Sequence, residues 1–178
     1  QELPDGAWSD GTNVRFAHGY AQRVSGHVAA LTTPPAAPYH VLNYRTGAGD
    51  FWVHTTLVGA HADDGTTQTD ISGTAFTGDA DDIWTSSVLG GVLYLNNQKD
   101  APVYWGGAVA DNVAALPGWD ASDRCKALRS FKANVIAMNI TKGSTRYPSM
   151  VKWSDTTEPG SVPNSWDHTD ATGDAREL

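Results

Sequence analysis

Residues 127–155, ALRSFKANVIAMNITKGSTRYPSMVKWSD, contain two short apolar runs separated by turn-forming residues. The first run is Val135-Ile136-Ala137-Met138, the turn is Lys142-Gly143-Ser144-Thr145, and the second run is Met150-Val151-Lys152-Trp153. Short runs of β-forming residues on either side of a turn are typical of an antiparallel strand pair. The stretch therefore predicts a β-hairpin.

Similar pairs occur earlier in the chain. The runs at 39–45 and 51–56 flank a turn that contains Gly47 and Gly49, and the runs at 83–89 and 92–95 flank Gly90-Gly91. Glycine pairs between two β-forming runs favour tight hairpin turns. A chain of 178 residues with 18 Gly and 9 Pro has many places to reverse. We therefore predict a single all-β, antiparallel domain.

The pairs recur at a nearly regular spacing. Phe51, Val92 and Val135 each begin the strongest apolar run of their region, 41 and 43 residues apart, and Trp105 and Trp153 end two of the pairs, 48 residues apart. A repeat of ~40–50 residues with four short strands per unit is in the range of β-propeller blades. The predicted architecture is a partial, propeller-like arc of short four-stranded sheets.

This interpretation divides the chain into segments. Residues 1–31 are predicted to form an opening strand pair, residues 32–38 a proline-rich connector, residues 39–155 about three blade-like units, and residues 156–178 a loop or tail. An arc leaves sheet faces uncovered, so a partner or a further chain segment is expected to complete it. We accordingly expect the chain to be part of a larger protein.

The repeat also predicts which side chains form its core. We predict that Val135, Met138, Val151 and Trp153 are buried between sheets. Exposure of these four residues would contradict the propeller interpretation. The full set of predicted core residues of the repeat is Trp52, Val92, Trp105, Val135, Met138, Val151 and Trp153.

Trp119 and Trp166 lie in predicted loops and are the candidate residues for exposed contact. Aromatic side chains on a protein surface can serve as a platform for a sugar ring. They motivate an alternative function, a glycan-binding β-propeller or lectin-like module.

Residue patterns for catalysis or metal binding are not found in the sequence. The six histidines lack metal-ligand spacing, and there is no nucleophile elbow or phosphate-binding loop. Cys125 lies between Arg124 and Lys126, which would lower its pKa, but a lone cysteine at the start of a strand is usually inert. The Asp-rich turns at 63–65 and 79–82 lack the glycine and glutamate of an EF-hand loop. We predict no catalytic residues, no cofactor and no metal; a propeller hydrolase using paired carboxylates is a third hypothesis.

The charge balance restricts the binding partners. Twenty acidic and 12 basic residues give a formal net charge of −8. Such a surface disfavours binding to a phosphate backbone or an anionic membrane. The chain also has no apolar run near the ~20 residues that a membrane-spanning helix requires, so we expect no membrane anchor.

Four stretches resemble a known family. Residues 13–26, NVRFAHGYAQRVSG, together with 134–139 and 149–155, resemble the N-terminal part of the tail nozzle, or packaged-DNA stabilisation, proteins of short-tailed bacteriophages. Residues 159–167, PGSVPNSWD, are similar to a loop at which those proteins end a blade. Members of that family are much longer than this chain.

The resemblance implies a structural virion protein without catalysis. It would assemble as a ring with other subunits of the same protein, commonly a hexamer, around the DNA exit channel. Its partners would be neighbouring tail and portal or adaptor proteins, and DNA would pass without specific binding. The place of action would be the phage tail, after assembly in the host cytoplasm. An acidic channel would let a polyanion slide, so the net charge agrees with this expectation.

Overall fold

The structure, a computed structural model, describes residues 14–18, 20–24, 29 and 31–178. The chain divides into two compact units, residues 1–30 and 31–178. In the first unit, Val14–Ala17 (β1) pairs antiparallel with Tyr20–Arg23 (β2). The remaining residues of the opening strand pair predicted over 1–31, namely 1–13, 19, 25–28 and 30, lie outside the described residues.

The second unit contains three four-stranded sheets. The first sheet comprises His40–Thr46 (β3), Gly49–Thr55 (β4), Ala60–Asp63 (β5) and Gln68–Asp70 (β6). The second comprises Thr85–Leu89 (β7), Val92–Asn96 (β8), Val103–Trp105 (β9) and Ala114–Ala115 (β10). The third comprises Asp123–Phe131 (β11), Asn134–Lys142 (β12), Thr145–Trp153 (β13) and Arg176–Glu177 (β14). Strands adjacent in sequence pair antiparallel, so each sheet is a meander.

The predicted all-β, antiparallel fold with four-stranded sheets is confirmed. The described part of the chain contains no helix, and hence none long and apolar enough to cross a membrane. The Gly90-Gly91 hairpin forms as predicted: both glycines have positive φ, at 59° and 88°, and β7 pairs with β8 directly across them. Two consecutive positive φ values are what a type I′ turn requires, and glycine adopts them without steric cost.

The second sheet contacts a hydrophobic core on each of its faces. Strand β8 is buried along its whole length, and its side chains alternate between two cores. Leu93 and Leu95 belong to the first core, and Val92 and Tyr94 to the second. The first core also contains Tyr44, Phe51, Val53, Ala60, Ala62, Ile71, Phe76, Trp84 and Trp105. The second also contains Leu116, Trp119, Cys125, Leu128, Val135, Ala137, Ile140 and Trp166. Because the first core draws on the first and second sheets and the second core on the second and third, the three sheets are stacked in chain order.

The first strands of the three sheets are neighbours. His40 on β3 places Nε2 2.8 Å from Ser86 Oγ on β7. Ser87 on β7 donates its hydroxyl to Ser130 Oγ on β11 at 2.8 Å, and accepts from Ser130 N at 2.7 Å. Hydrogen bonds of polar side chains therefore connect the three sheets along β3, β7 and β11.

The core prediction is right for three residues and wrong for two. Val92, Trp105 and Val135 are buried, whereas Trp52 is 44% exposed and Met138 is 37% exposed. Val151 and Trp153 are half-buried.

The alternation of side chains along a strand explains the errors. Val135 and Ala137 face the second core, so Met138, three residues after Val135, points to the opposite face. Met138 pairs with Val151, and Ile136 pairs with Trp153, so these four side chains share the outer face of the third sheet. Likewise Trp52 lies between buried Phe51 and Val53 and points outward.

The segment 156–178 is more ordered than the predicted loop or tail. Arg176–Glu177 forms β14, the last strand of the third sheet, and Trp166 is completely buried in the second core. The segment is therefore part of the folded unit, although most of it is loop.

Candidate functional site

The outer face of the third sheet carries a central group of apolar residues that belongs to neither core. The group presents Ile136, Met138, Val151 and Trp153 side by side. Arg129 on β11 and Arg176 on β14 flank this group, because they pair with Ile136 and Trp153. Leu178 continues this surface, because its backbone exchanges hydrogen bonds of 2.8 Å in both directions with Val151. We call these five residues the outer apolar face. It is a candidate protein-contact surface, since apolar residues grouped on one sheet face normally pack against another layer.

A buried polar cluster lies on the outer face of the first sheet, beneath the proline-rich segment 31–38. Asp63, 1% exposed, accepts hydrogen bonds from Thr32 N at 3.0 Å, from Thr32 Oγ1 and from Gly65 N at 2.7 Å. Burial raises the pKa of Asp63, but these donors outweigh that effect and hold it below its ordinary value. Asp63 therefore fastens the segment to β5, with Leu31, Pro34 and Pro38 lining a cavity of about 130 Å³ over it.

Two histidines complete this cluster. His54 and His61 pair across β4 and β5 with stacked rings, centroids 5.2 Å apart. Burial, and secondarily the charge of His61, lower the pKa of His54, and Asp63 opposes the shift. The Nε2 atom of His54 is buried without a hydrogen-bond partner in the described structure. These features favour neutral His54 in the folded state.

A polar pocket of about 490 Å³ lies at the end of the second core. Asp123 on β11, Lys142 on β12 and Lys152 on β13 supply charged side chains from the core-facing side of the third sheet. The loops 118–122 and 167–168 and the turn between β12 and β13 contribute the rest of the lining: Gly118, Asp120, Ser122, Gly143, Asp167 and His168. The pocket thus combines both signs of charge with rigid strand positions.

Asp123 and Lys152 are the deepest charged groups of this pocket, each 5% exposed. Burial raises the pKa of Asp123, and the neighbouring charge of Asp120 adds to the rise. Burial lowers the pKa of Lys152, and Asp123 and Glu177 counteract part of that effect. Opposed shifts of this kind, in a cleft, are a recognised mark of functional sites.

Trp119 and Trp166 belong to the second core, and the prediction of their exposure is wrong. Trp166 is 0% exposed and Trp119 is 9% exposed. Their rings meet edge to face with centroids 4.8 Å apart, and Trp119 Nε1 donates to Asp123 O at 3.0 Å. The Lys152 ammonium lies 5.1 Å from the centre of the Trp119 ring. Neither tryptophan can offer a flat platform to a sugar.

The two loops that carry these tryptophans approach closely at Gly118. A Cβ atom there would lie 3.0 Å from both Ser165 Oγ and Trp166 N, and the φ of Gly118 is +70°. Glycine allows both the backbone conformation and the contact. The sequence placed both tryptophans in loops correctly, but the folding of one loop over the other has no local signal.

The remaining candidate groups have structural roles. Cys125 is buried in the second core, and burial raises its pKa to about 12. The lowering of the Cys125 pKa that we considered from Arg124 and Lys126 does not occur. Carboxylates of the Asp-rich turns accept from their own backbone: Asp64 from Thr66 N and Thr67 N, and Asp79 from Asp81 N. No group of three or more His, Cys, Asp or Glu side chains in the described residues could hold a metal ion.

We did not identify Asp123 or Lys152 from the sequence. The prediction that Val151 and Trp153 lie on the buried face places Lys152 on the exposed face. The structure reverses this assignment: Lys152 pairs with buried Ala137 and faces the core. A charge at a core-facing strand position indicates either a buried partner or a pocket.

Comparison with protein-family models gives no match, and comparison with curated protein sequences gives none either.

Proposed function

We propose that the chain is a structural component of the tail nozzle type, which acts by packing and assembly in a phage tail. The stacked meanders support a propeller-like arrangement, in which each four-stranded sheet is a blade and β3, β7 and β11 are the innermost strands. The sequence resemblance supplies the biological setting of a ring around a DNA exit channel. The outer apolar face is the observation that carries the proposal.

The exposure of Met138 requires a more specific form of the propeller hypothesis. The burial criterion assumed that a unit lies on each side of the third sheet, whereas in this chain the second sheet covers only the inner side. In the proposed assembly, the outer apolar face packs against a further sheet. Val41 and Trp52 on the first sheet line the cavity beneath the proline-rich segment but remain 48% and 44% exposed, and we infer that they offer a complementary apolar surface on another copy. A contact between two different faces repeats from copy to copy and closes into a ring when the rotation permits.

Mass measurement by light scattering and native mass spectrometry tests this proposal. We expect the chain to form oligomers, and Met138→Lys to shift them to monomer, because a lysine at the centre of an apolar contact must be desolvated. Ile83→Lys is the matched control, since Ile83 is 68% exposed and lies outside the outer apolar face; it should leave assembly unchanged. A wild-type chain that stays monomeric at high concentration would overturn the proposal. So would oligomers that persist in folded Met138→Lys protein.

We do not propose the glycan-binding alternative, because it rested on exposure of Trp119 and Trp166, and both are buried.

A further inference from the structure

Most charges around the polar pocket are satisfied within the protein. Lys142 Nζ pairs with Glu177 Oε1, and His168 Nδ1 lies 3.5 Å from Glu177 Oε2. Asp120 Oδ1 accepts from both the backbone and the hydroxyl of Ser122 at 2.8 Å. Asp167 Oδ1 accepts in the same way from Thr169, at 2.8 and 2.6 Å.

Asp123 and Lys152 are the exceptions. Neither side chain forms a hydrogen bond or an ion pair with any described residue, although both are nine-tenths buried and line the pocket. They come from different strands, and each influences the pKa of the other, yet no nitrogen-to-oxygen distance of 4 Å or less joins them. Their charged atoms are accessible from the pocket, which therefore holds one anionic and one cationic group without a charged partner among the described residues.

A charged group in a cleft attracts an opposite charge on a ligand more strongly than the same group does in bulk water, because the surrounding protein has a lower dielectric constant. A simple anion would satisfy Lys152 but would meet the carboxylates of Asp120, Asp123 and Asp167. A simple cation would satisfy Asp123 and leave Lys152 unpaired. A molecule with one charge of each sign satisfies both, and a pocket of about 490 Å³ admits one of small size.

We propose that this pocket binds a small zwitterion of the amino-acid type, with its ammonium group at Asp123 and its carboxylate at Lys152. The Trp119 ring fixes the position of the Lys152 ammonium through the cation–π contact. This binding site is separate from the outer apolar face, so it does not depend on the proposed assembly.

The test uses glycine, β-alanine and γ-aminobutyric acid, which differ in the distance between their ammonium and carboxylate groups. Acetate and methylamine serve as probes that carry a single charge. Binding to the folded wild-type chain is followed by calorimetry and by the indole ¹H–¹⁵N resonance of Trp119, whose Nε1 donates to Asp123 O. We expect saturable binding in the millimolar range or tighter for at least one amino acid, and at least about tenfold weaker binding of both single-charge probes.

The affinities of single-residue variants test whether the ligand binds in this pocket. Asp123→Asn and Lys152→Met should each weaken binding by about tenfold or more, because each leaves one ligand charge without a partner. Lys99→Met is the matched control, since Lys99 pairs with Asp79 at the surface and does not line the pocket; it should keep wild-type affinity. Absence of saturation by every amino acid would overturn the proposal. So would equal binding of the single-charge probes, or unchanged affinity in folded Asp123→Asn. The wild-type indole resonance provides a result even if a variant fails to fold.

Discussion

His54 occupies a position at which protonation opposes folding. The residue is 4% exposed, and its ring stacks on His61 beneath the proline-rich segment. Burial lowers its pKa from 6.5 in the folded state, so in the unfolded chain the residue binds a proton more readily. Below the unfolded value the unfolded state therefore holds more protons, and the free energy of unfolding falls as the pH falls. His40, whose pKa burial and then Arg129 also lower, contributes with the same sign.

We predict that the chain loses stability between about pH 7 and about pH 5, and that His54→Gln makes this loss smaller. Urea unfolding at several pH values gives the measurement. Comparison of the two proteins at about pH 8, where histidine is neutral in both states, separates the packing effect of the substitution from the proton effect. Because His40 is still present in the variant, the free energy of unfolding should keep a smaller dependence on pH. A variant with the same pH slope as the wild type would refute the assignment to His54.

At the scale of elements, the segment 156–178 stabilises the third sheet. Trp166 fills the end of the second core, and Asp155 Oδ1 accepts from Asp174 N at 2.6 Å and Ala175 N at 2.8 Å, which brings the chain back to β13. Since Ala175 is itself fully buried, the returning segment is held by packing as well as by hydrogen bonds.

We predict that Trp166→Ala lowers the free energy of unfolding by about 3–5 kcal/mol, because it leaves a large cavity. Trp52→Ala provides a control with the same chemical change at a site that is 44% exposed, and it should cost about 1 kcal/mol or less. Both values come from urea unfolding curves. Equal losses in the two variants would contradict the buried role of Trp166.

The same elements show what the sequence could predict. Turn positions were accessible because local residues determine them, as at Gly90-Gly91. The face to which a strand residue points was harder, because a spacing of three between Val135 and Met138 looks like one apolar run but spans both faces. The pocket and the covered tryptophans depend on loops that meet far apart in sequence, and no local pattern encodes that contact.

At the scale of the whole molecule, the charges are distributed unevenly. The net charge is −8, yet many exposed acids, such as Asp64, Asp79 and Asp170, lie in turns and loops. Strand β11, in contrast, carries exposed Lys126 and Arg129, and Lys132 follows in its turn. If β3, β7 and β11 line the channel of the proposed ring, its wall is more basic than the net charge indicates. The expectation of an acidic channel therefore does not follow from the net charge alone.

This distribution predicts weak, salt-sensitive contact with DNA. We expect retention of duplex DNA at an ionic strength of about 0.02 M and release near 0.15 M, because a few phosphate contacts lose affinity steeply with salt. Lys126→Glu combined with Arg129→Glu should abolish the low-salt retention. Lys99→Glu combined with Arg146→Glu changes the net charge equally at other exposed positions and should preserve it. Filter binding across a salt series makes the comparison, and equal loss in both double variants would attribute any retention to net charge rather than to β11.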